Sequence, residues 1–218
     1  MNIRCNVSSR FLASFFCIGV FLFPLHAHPH MFFSASAEFV WEKADLSGCW
    51  LEWEFDQFFS ADIIRGYDVD GNGSFDAKEI KEVYNNAFIN LKNYYYFTFI
   101  REKNQRSNPE SVTRFSVSQK NGKVSYRFFL DLSDFQSGNL ALAIYDYTFF
   151  CDVSYPVKNA VTCTYDKDFV KPTFNIVENK NFPVYYNPSG SIDDTTIYYE
   201  WKKGLQTYYP KEIVVAWK

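Results

Sequence analysis

The sequence has 218 residues, 47% of them hydrophobic and 22% charged, which is enough apolar content for one sizeable domain or two small ones. Its formal net charge of −3, without any Lys/Arg-rich stripe, argues against nucleic acid as a partner, because neutralising phosphates needs clustered cations. Aromatic residues make up 21% of the chain, and aromatic and β-branched side chains that alternate along a segment favour strands, so a sheet-rich fold is expected.

At the N-terminus, Arg4 and Arg10 form a basic region free of carboxylates, and Phe11 to Leu25 follow as an apolar run. Leu25-His26-Ala27 ends this run with a small residue, so residues 1–27 read as a signal peptide cleaved after Ala27. The apolar run is shorter than the roughly 20 residues a spanning helix needs, so no membrane span is expected in the mature chain. Phe15 and Phe16 are too bulky to make Cys17 a lipidation site. Losing Arg4 and Arg10 takes the net charge from −3 to −5. An exported chain meets an oxidising compartment, and Cys49, Cys151 and Cys163 remain in it. Cys151 and Cys163 flank turn-forming residues and could pair across a hairpin, leaving Cys49 single; three buried thiols fit the arithmetic equally well.

In chain order, Met31 to Glu42 and Cys49 to Phe55 read as strands joined by a polar turn around Lys43-Ala44-Asp45. In the second, Leu51, Trp53 and Phe55 alternate with Glu52, Glu54 and Asp56, the pattern of a strand with one wet face. Phe58 to Tyr67 reads as a short helix and Ala77 to about Asn93 as a longer one, with Ile80, Val83, Tyr84, Ala87, Phe88 and Leu91 on one face. Strands are expected at Tyr94 to Ile100, Val112 to Gln119, Val124 to Leu132, Leu140 to Phe150 and Val161 to Tyr165, with a hairpin turn at Asn121-Gly122. Beyond Pro172 the strand signals weaken around Pro183, Pro188 and Gly190. The expected fold is α+β but mainly β: residues 28–218 as one domain, an antiparallel sheet or sandwich interrupted by a helix-loop-helix (EF-hand) insertion at about residues 58–93.

Between the two helices, residues 68 to 79 read Asp-Val-Asp-Gly-Asn-Gly-Ser-Phe-Asp-Ala-Lys-Glu. This is the ligand pattern of an EF-hand calcium loop. Asp68, Asp70 and Asn72 offer side-chain oxygens, and Ser74 offers its carbonyl. Asp76 binds directly or through water, and Glu79 closes the site with two oxygens. Gly73 supplies the sharp turn. No second loop of this kind is found, and a lone hand in an exported protein suits a structural role better than a sensing one.

Cleavage after Ala27 leaves His28-Pro29-His30 at the new N-terminus. The α-amine and imidazole of His28 can chelate one ion together, with His30 as a second imidazole, a set suited to Cu, Zn or Ni. Pro29 lacks an N–H and so blocks the square-planar mode that uses backbone amides. Copper-dependent polysaccharide oxygenases also use an N-terminal histidine, but they need another from far along the chain, and the mature sequence has none beyond His30.

Taken together, these stretches resemble the exported family of unknown function numbered 1007, sometimes described as periplasmic components of an uncharacterised transport system. The matching residues are Ala27-His28-Pro29-His30-Met31-Phe32 and Trp53-Glu54-Phe55-Asp56-Gln57-Phe58-Phe59-Ser60, followed by the acidic loop. Asn90-Leu91-Lys92-Asn93-Tyr94, Tyr96-Phe97, and Tyr145-Asp146 before Phe149-Phe150 complete the match, with Tyr147 where a proline is expected. The resemblance covers about His28 to Tyr165. It implies a periplasmic protein encoded beside a nickel/cobalt-type membrane transporter, metal binding at His28 and His30, and no established reaction.

Three functions compete on these grounds. The first is a calcium-stabilised accessory that passes Zn²⁺, Ni²⁺, Co²⁺ or Cu²⁺ to an inner-membrane transporter. The second is a calcium-stabilised module binding protein or glycan through an aromatic face. The third, a hydrolase using Asp56, is weakest, since no nucleophile-base-acid set can be read and an enzyme is not expected.

Overall fold

The computed structural model describes residues 28–103, 105–191 and 193–218. The signal peptide and its cleavage site lie outside the described residues.

Two long strands found the structure. Strand β1 (Met31–Glu42) buries Phe33, Ala35, Ala37, Phe39 and Trp41 at every second position, and β2 (Asp45–Phe55) answers with Leu51, Trp53 and Phe55. Strict alternation puts both sets on one face, as period-two pleating requires. Helices α1 (Gln57–Tyr67) and α2 (Ala77–Asn86) follow, then a 3-10 segment (Phe88–Phe97). Next come β3 (Thr98–Glu102), β4 (Gln105–Ser107), β5 (Thr113–Lys120), β6 (Lys123–Asp131) and β7 (Asn139–Ile144). The chain ends with β8 (Cys151–Ser154), β9 (Val161–Thr164), β10 (Thr173–Glu178), β11 (Val184–Tyr186), β12 (Gln206–Tyr208) and β13 (Lys211–Ala216).

One sheet runs β5-β6-β2-β1-β8, with β9 also on β1; a second runs β10-β13-β7-β3-β4; β11 and β12 form a separate hairpin. The two larger sheets share one core, in which Phe39, Trp41 and Leu51 meet Leu140, Leu142, Ile213 and Val215, and Trp41 lies edge-on to Trp217 at 5.8 Å. Strand β7 is buried on both faces: its outward residue Ala143 joins Phe99, Tyr145, Phe149 and Val184 in a second cluster, covered by Tyr186 and Tyr208 of the hairpin. The helices cap the half of the core left open over β5 and β6, with Ile63, Val83 and Phe88 packed into it. The fold is therefore α+β and mainly β. No helix among the described residues is long and apolar enough to cross a membrane.

Four expectations need correction. The larger sheet is mixed, because β8 and β9 both run parallel to β1, end to end along its free edge. Their registers place Cys151 opposite Met31 and Cys163 opposite Phe39, roughly 26 Å apart at about 3.3 Å per residue. A disulfide needs Cα atoms within about 7 Å, so the hairpin pairing is overturned, and all three cysteines are free. The α-helix stops at Asn86, and the turns expected up to Asn93 continue as the 3-10 segment, in which Phe88 packs into the core against Phe115 at 4.3 Å and Phe128 at 5.0 Å. The strand expected from Tyr94 starts at Thr98, after Tyr95, Tyr96 and Phe97 take φ of 55°, 49° and 49°. Such left-handed residues cost about 1–3 kcal/mol each, and burial of Tyr96 and Phe97 holds them there.

Candidate metal centres

The first candidate is the loop between α1 and α2. Asp56 starts α1 by accepting from the Phe58 and Phe59 amides at 2.7 and 3.0 Å through one carboxylate oxygen. Its other oxygen accepts from Phe32 N at 3.0 Å, tying the helix to β1. Both oxygens are thus bonded to backbone amides. Asp76 caps α2 through Lys78 N and Glu79 N, both at 2.8 Å, and Glu79 answers by accepting from Asp76 N at 3.0 Å. That reciprocal pair is a capping box, which fixes where the second helix begins.

The loop then folds inward on its own oxygens. Asp68 accepts from the Asn72 and Gly73 amides, both at 3.1 Å, and Asn72 Oδ1 accepts from Ser74 N at 2.8 Å. Glu79, buried to 7% exposure, accepts from Val69 N at 2.8 Å. Gly73 at φ +80° makes the turn. Oxygens of Asp68, Asp70 and Glu79 all lie within 4.8 Å of one another. Three like charges so close repel unless a cation sits among them, and a hard ion of six to eight oxygen ligands fits that donor set. Asn72 and Ser74 flank the cluster through the bonds just described, and Asp76 contributes one oxygen to its cap. Gln119 of β5, absent from the sequence reading, donates to Asp68 at 2.6 Å and ties the loop to the sheet. No spacing rule could have found it, since a strand edge meets the loop only through the tertiary fold.

The second candidate is at the start of β1. His30 N and Met31 N donate to the Phe150 carbonyl at 2.9 and 3.1 Å, which docks this segment on the β7–β8 connection. The rings of His28 and His30 meet edge to face at 4.8 Å. His28 is buried to 5% exposure, and its Nδ1, like Nε2 of His30, is enclosed without a hydrogen-bond partner among the described residues. Orphaned buried nitrogens of this kind lose water without compensation. Burial and the neighbouring His30 push the His28 pKa down, against the opposing pull of Asp194, Asp146 and the Phe149 backbone, which favours the neutral form that ligates metals.

Two carboxylates face this pair. Asp146, which acts electrostatically on His28, is buried and accepts from Thr148 N at 2.8 Å, Thr148 Oγ1 at 2.8 and 2.9 Å, and Cys151 N at 3.1 Å. Burial raises its pKa despite these bonds. Asp146 shapes the connection that carries the Phe150 carbonyl. Asp194 arrives from the segment before β12: its Oδ1 accepts from Thr196 N at 3.1 Å, and Thr196 holds the carboxyl below its ordinary range. Its Oδ2 and Nε2 of His28 each lie 2.6 Å from where a Cβ on Gly190 would stand. The sequence reading found neither Asp194 nor Gly190, which sit at the far end of the chain in a stretch that reads as turn.

A third feature is a cleft of about 480 Å³ lined by Tyr95, Tyr145, Tyr147, Tyr185 and Tyr199. Arg106 stands over the Phe99 ring at 4.3 Å and the Phe182 ring at 4.6 Å, and donates to the Tyr145 hydroxyl.

Against known proteins, 94 residues are 39% identical to an uncharacterized 15.5 kDa protein in the trpE 3' region of Spirochaeta aurantia. That alignment takes in 42% of this chain and 66% of the relative, just under two thirds of its length. No solved structure matches. A family model does match, over residues 13–217, and the chain accordingly belongs to the family described as Protein of unknown function (DUF1007).

Proposed function

We propose that this is an exported, periplasmic calcium-binding protein that handles a transition metal as an accessory to an inner-membrane transporter of nickel, cobalt, zinc or copper. The carrying observation is the pair of neighbouring imidazoles, His28 and His30, each with a buried ring nitrogen that has no hydrogen-bond partner among the described residues. A bound divalent metal supplies that missing partner and accepts neutral imidazole well. Calcium in an EF-hand of Asp68, Asp70, Asn72, Ser74, Asp76 and Glu79 neutralises the acidic cluster and holds α1 against α2. Its role is structural, and the cargo belongs to the histidines. Cleavage after Ala27 would add the His28 α-amine to the donor set.

Calorimetric titration of protein beginning at His28 tests this reading with Ca²⁺, then Zn²⁺, Ni²⁺ and Cu²⁺. One calcium site and one separate transition-metal site are expected, the latter lost when His28 and His30 are both Ala. Calcium binding alone would remove the metal-handling role. The tyrosine-lined cleft would then favour the second reading, a calcium-stabilised module whose aromatic cleft takes a protein or glycan.

A further inference from the structure

We infer that the tyrosine-lined cleft binds an acidic saccharide, with the Arg106 guanidinium taking a uronic-acid carboxylate and exposed tyrosine rings stacking on the sugar. The inference rests on the second reading of the cleft and names its ligand. The cleft lining includes no residue of the two metal centres, so it stands whether or not the histidines bind metal.

At about 480 Å³, the cleft falls within the roughly 300–1,000 Å³ that small-molecule sites occupy. Its buried part is aromatic: Phe99 and Tyr145 stack at 4.3 Å. Tyr95 and Tyr147 approach each other to 6.3 Å, and an antiparallel bridge between Tyr185 and Tyr198 holds the segment that carries Tyr199 beside β11. Tyr199 is 87% exposed and Tyr95 45%. Tyr95 also sits at φ 55°, a region unfavourable for a bulky residue. Burial accounts for the same geometry at Tyr96 and Phe97, but Tyr95 presents its ring to the cleft instead of packing it in the core.

One charge stands in this lining. Arg106 is its single charged side chain among the described residues, and it forms no ion pair with any of them. The guanidinium lies over Phe99 at 4.3 Å and Phe182 at 4.6 Å. Of its five N–H donors, the one side-chain bond among the described residues goes to the Tyr145 hydroxyl. Glu212, the carboxylate that acts on it, is already bonded to Arg101 at 2.6 Å. Burial lowers the Arg106 pKa, and Glu212 opposes that shift without cancelling it. A cation that has lost water to aromatic rings without gaining a carboxylate is complementary to an anion, and a planar carboxylate fits its fork of donors. The tyrosines add apolar faces with hydroxyls at their edges, and Asn181 adds an amide. A sugar acid answers each of these: C–H faces for the rings, hydroxyls for the phenols and amide, and a carboxylate for Arg106. An acidic peptide offers the carboxylate but not the hydroxyl-rich ring.

Calorimetric titration of protein beginning at His28 tests this with trimers of galacturonate, mannuronate and guluronate, the neutral methyl ester of the tightest binder, and triglutamate. At least one acidic trimer should bind at one site per chain. Its methyl ester should bind at least about tenfold more weakly, since the bond to a charged partner is lost. Arg106→Gln should weaken the acidic trimer by a similar factor and leave the ester's affinity unchanged. Tyr199→Ala, at an exposed position outside the core, should weaken acid and ester alike by several-fold. Equal affinity for acid and ester, or a trimer affinity unchanged by Tyr199→Ala, would overturn the inference. If triglutamate binds and none of the trimers does, the saccharide inference falls and the cleft reading survives as a peptide site. No binding by any probe would overturn both.

Discussion

Single residues here carry more than one duty, and substitutions separate them. Glu79 bonds Val69 N and Asp76 N while facing Asp68 and Asp70, so it is at once a helix cap and a closing carboxylate. Glu79→Gln keeps one side-chain oxygen, enough for only one of the Val69 and Asp76 amides, and removes a charge. Calcium affinity should fall at least about tenfold by calorimetry, and the loss of one of the two bonds should lower the apo protein's melting temperature. Extracellular calcium modules have Kd of roughly 0.1–1 mM, and ligand at about 100 times Kd stabilises by about 2.7 kcal/mol. Wild type should therefore gain several degrees in saturating calcium that the variant does not gain at the same concentration. Asp56 predicts a different pattern. Its carboxylate caps α1 and binds Phe32 N, so Asp56→Ala should cost about 1–2 kcal/mol in urea unfolding. The grouping of Asp68, Asp70 and Glu79 was legible, because these residues lie close together in sequence. Gln119 was not legible, because its bond to Asp68 exists only once distant segments meet.

At the scale of elements, periodicity carried the reading where local pattern and tertiary packing agree. The alternation of Phe33 to Trp41 and of Leu51 to Phe55 gave β1 and β2, and Asn121-Gly122 gave the β5–β6 turn. Packing overruled pattern at Phe88, whose helical spacing is genuine but whose ring is worth more in the core than on a continued helix. Strand β7 stops at Ile144 where Leu140 to Phe150 read as continuous, because Asp146 turns the chain by accepting from Thr148 and Cys151. The parallel pairing of β8 and β9 with β1 was illegible for a further reason: short strands carry no signal for their partner. Ion pairs across the sheet give a test at this scale. Glu38 on β1 accepts from Arg127 of β6 at 3.0 Å and from Thr164 of β9 at 2.8 Å, and these bonds hold its pKa below the ordinary value of 4.5. A depressed carboxylate stabilises the fold above its unfolded pKa, and that contribution is lost as pH falls through the folded one. With both side chains about one-third exposed, the effect is modest, at most about 1 kcal/mol at pH 7. Glu38→Gln should therefore lower stability at pH 7 but not below the folded pKa, checked by urea unfolding across that range.

Across the whole molecule, the two candidate centres sit on different supports joined by one thread. The acidic loop is carried by helices that cap β5 and β6, and the histidines by the start of β1 against the β7–β8 connection. Asp56 links them, since it begins α1 and bonds Phe32, two residues beyond His30. The covering hairpin β11–β12 encloses the histidine side through Tyr186, which lies 6.5 Å from His28 and 4.3 Å from Phe149. On the proposed reading, a calcium-held frame and an exchangeable metal site would share this chain, the first ion kept and the second passed on. The most direct test of that claim is calorimetric titration of zinc into calcium-saturated protein beginning at His28. The account predicts one zinc per chain, calcium still bound at full stoichiometry, and no zinc binding once His28 and His30 are Ala. Zinc that displaces the calcium, or binding that survives loss of both histidines, would contradict it.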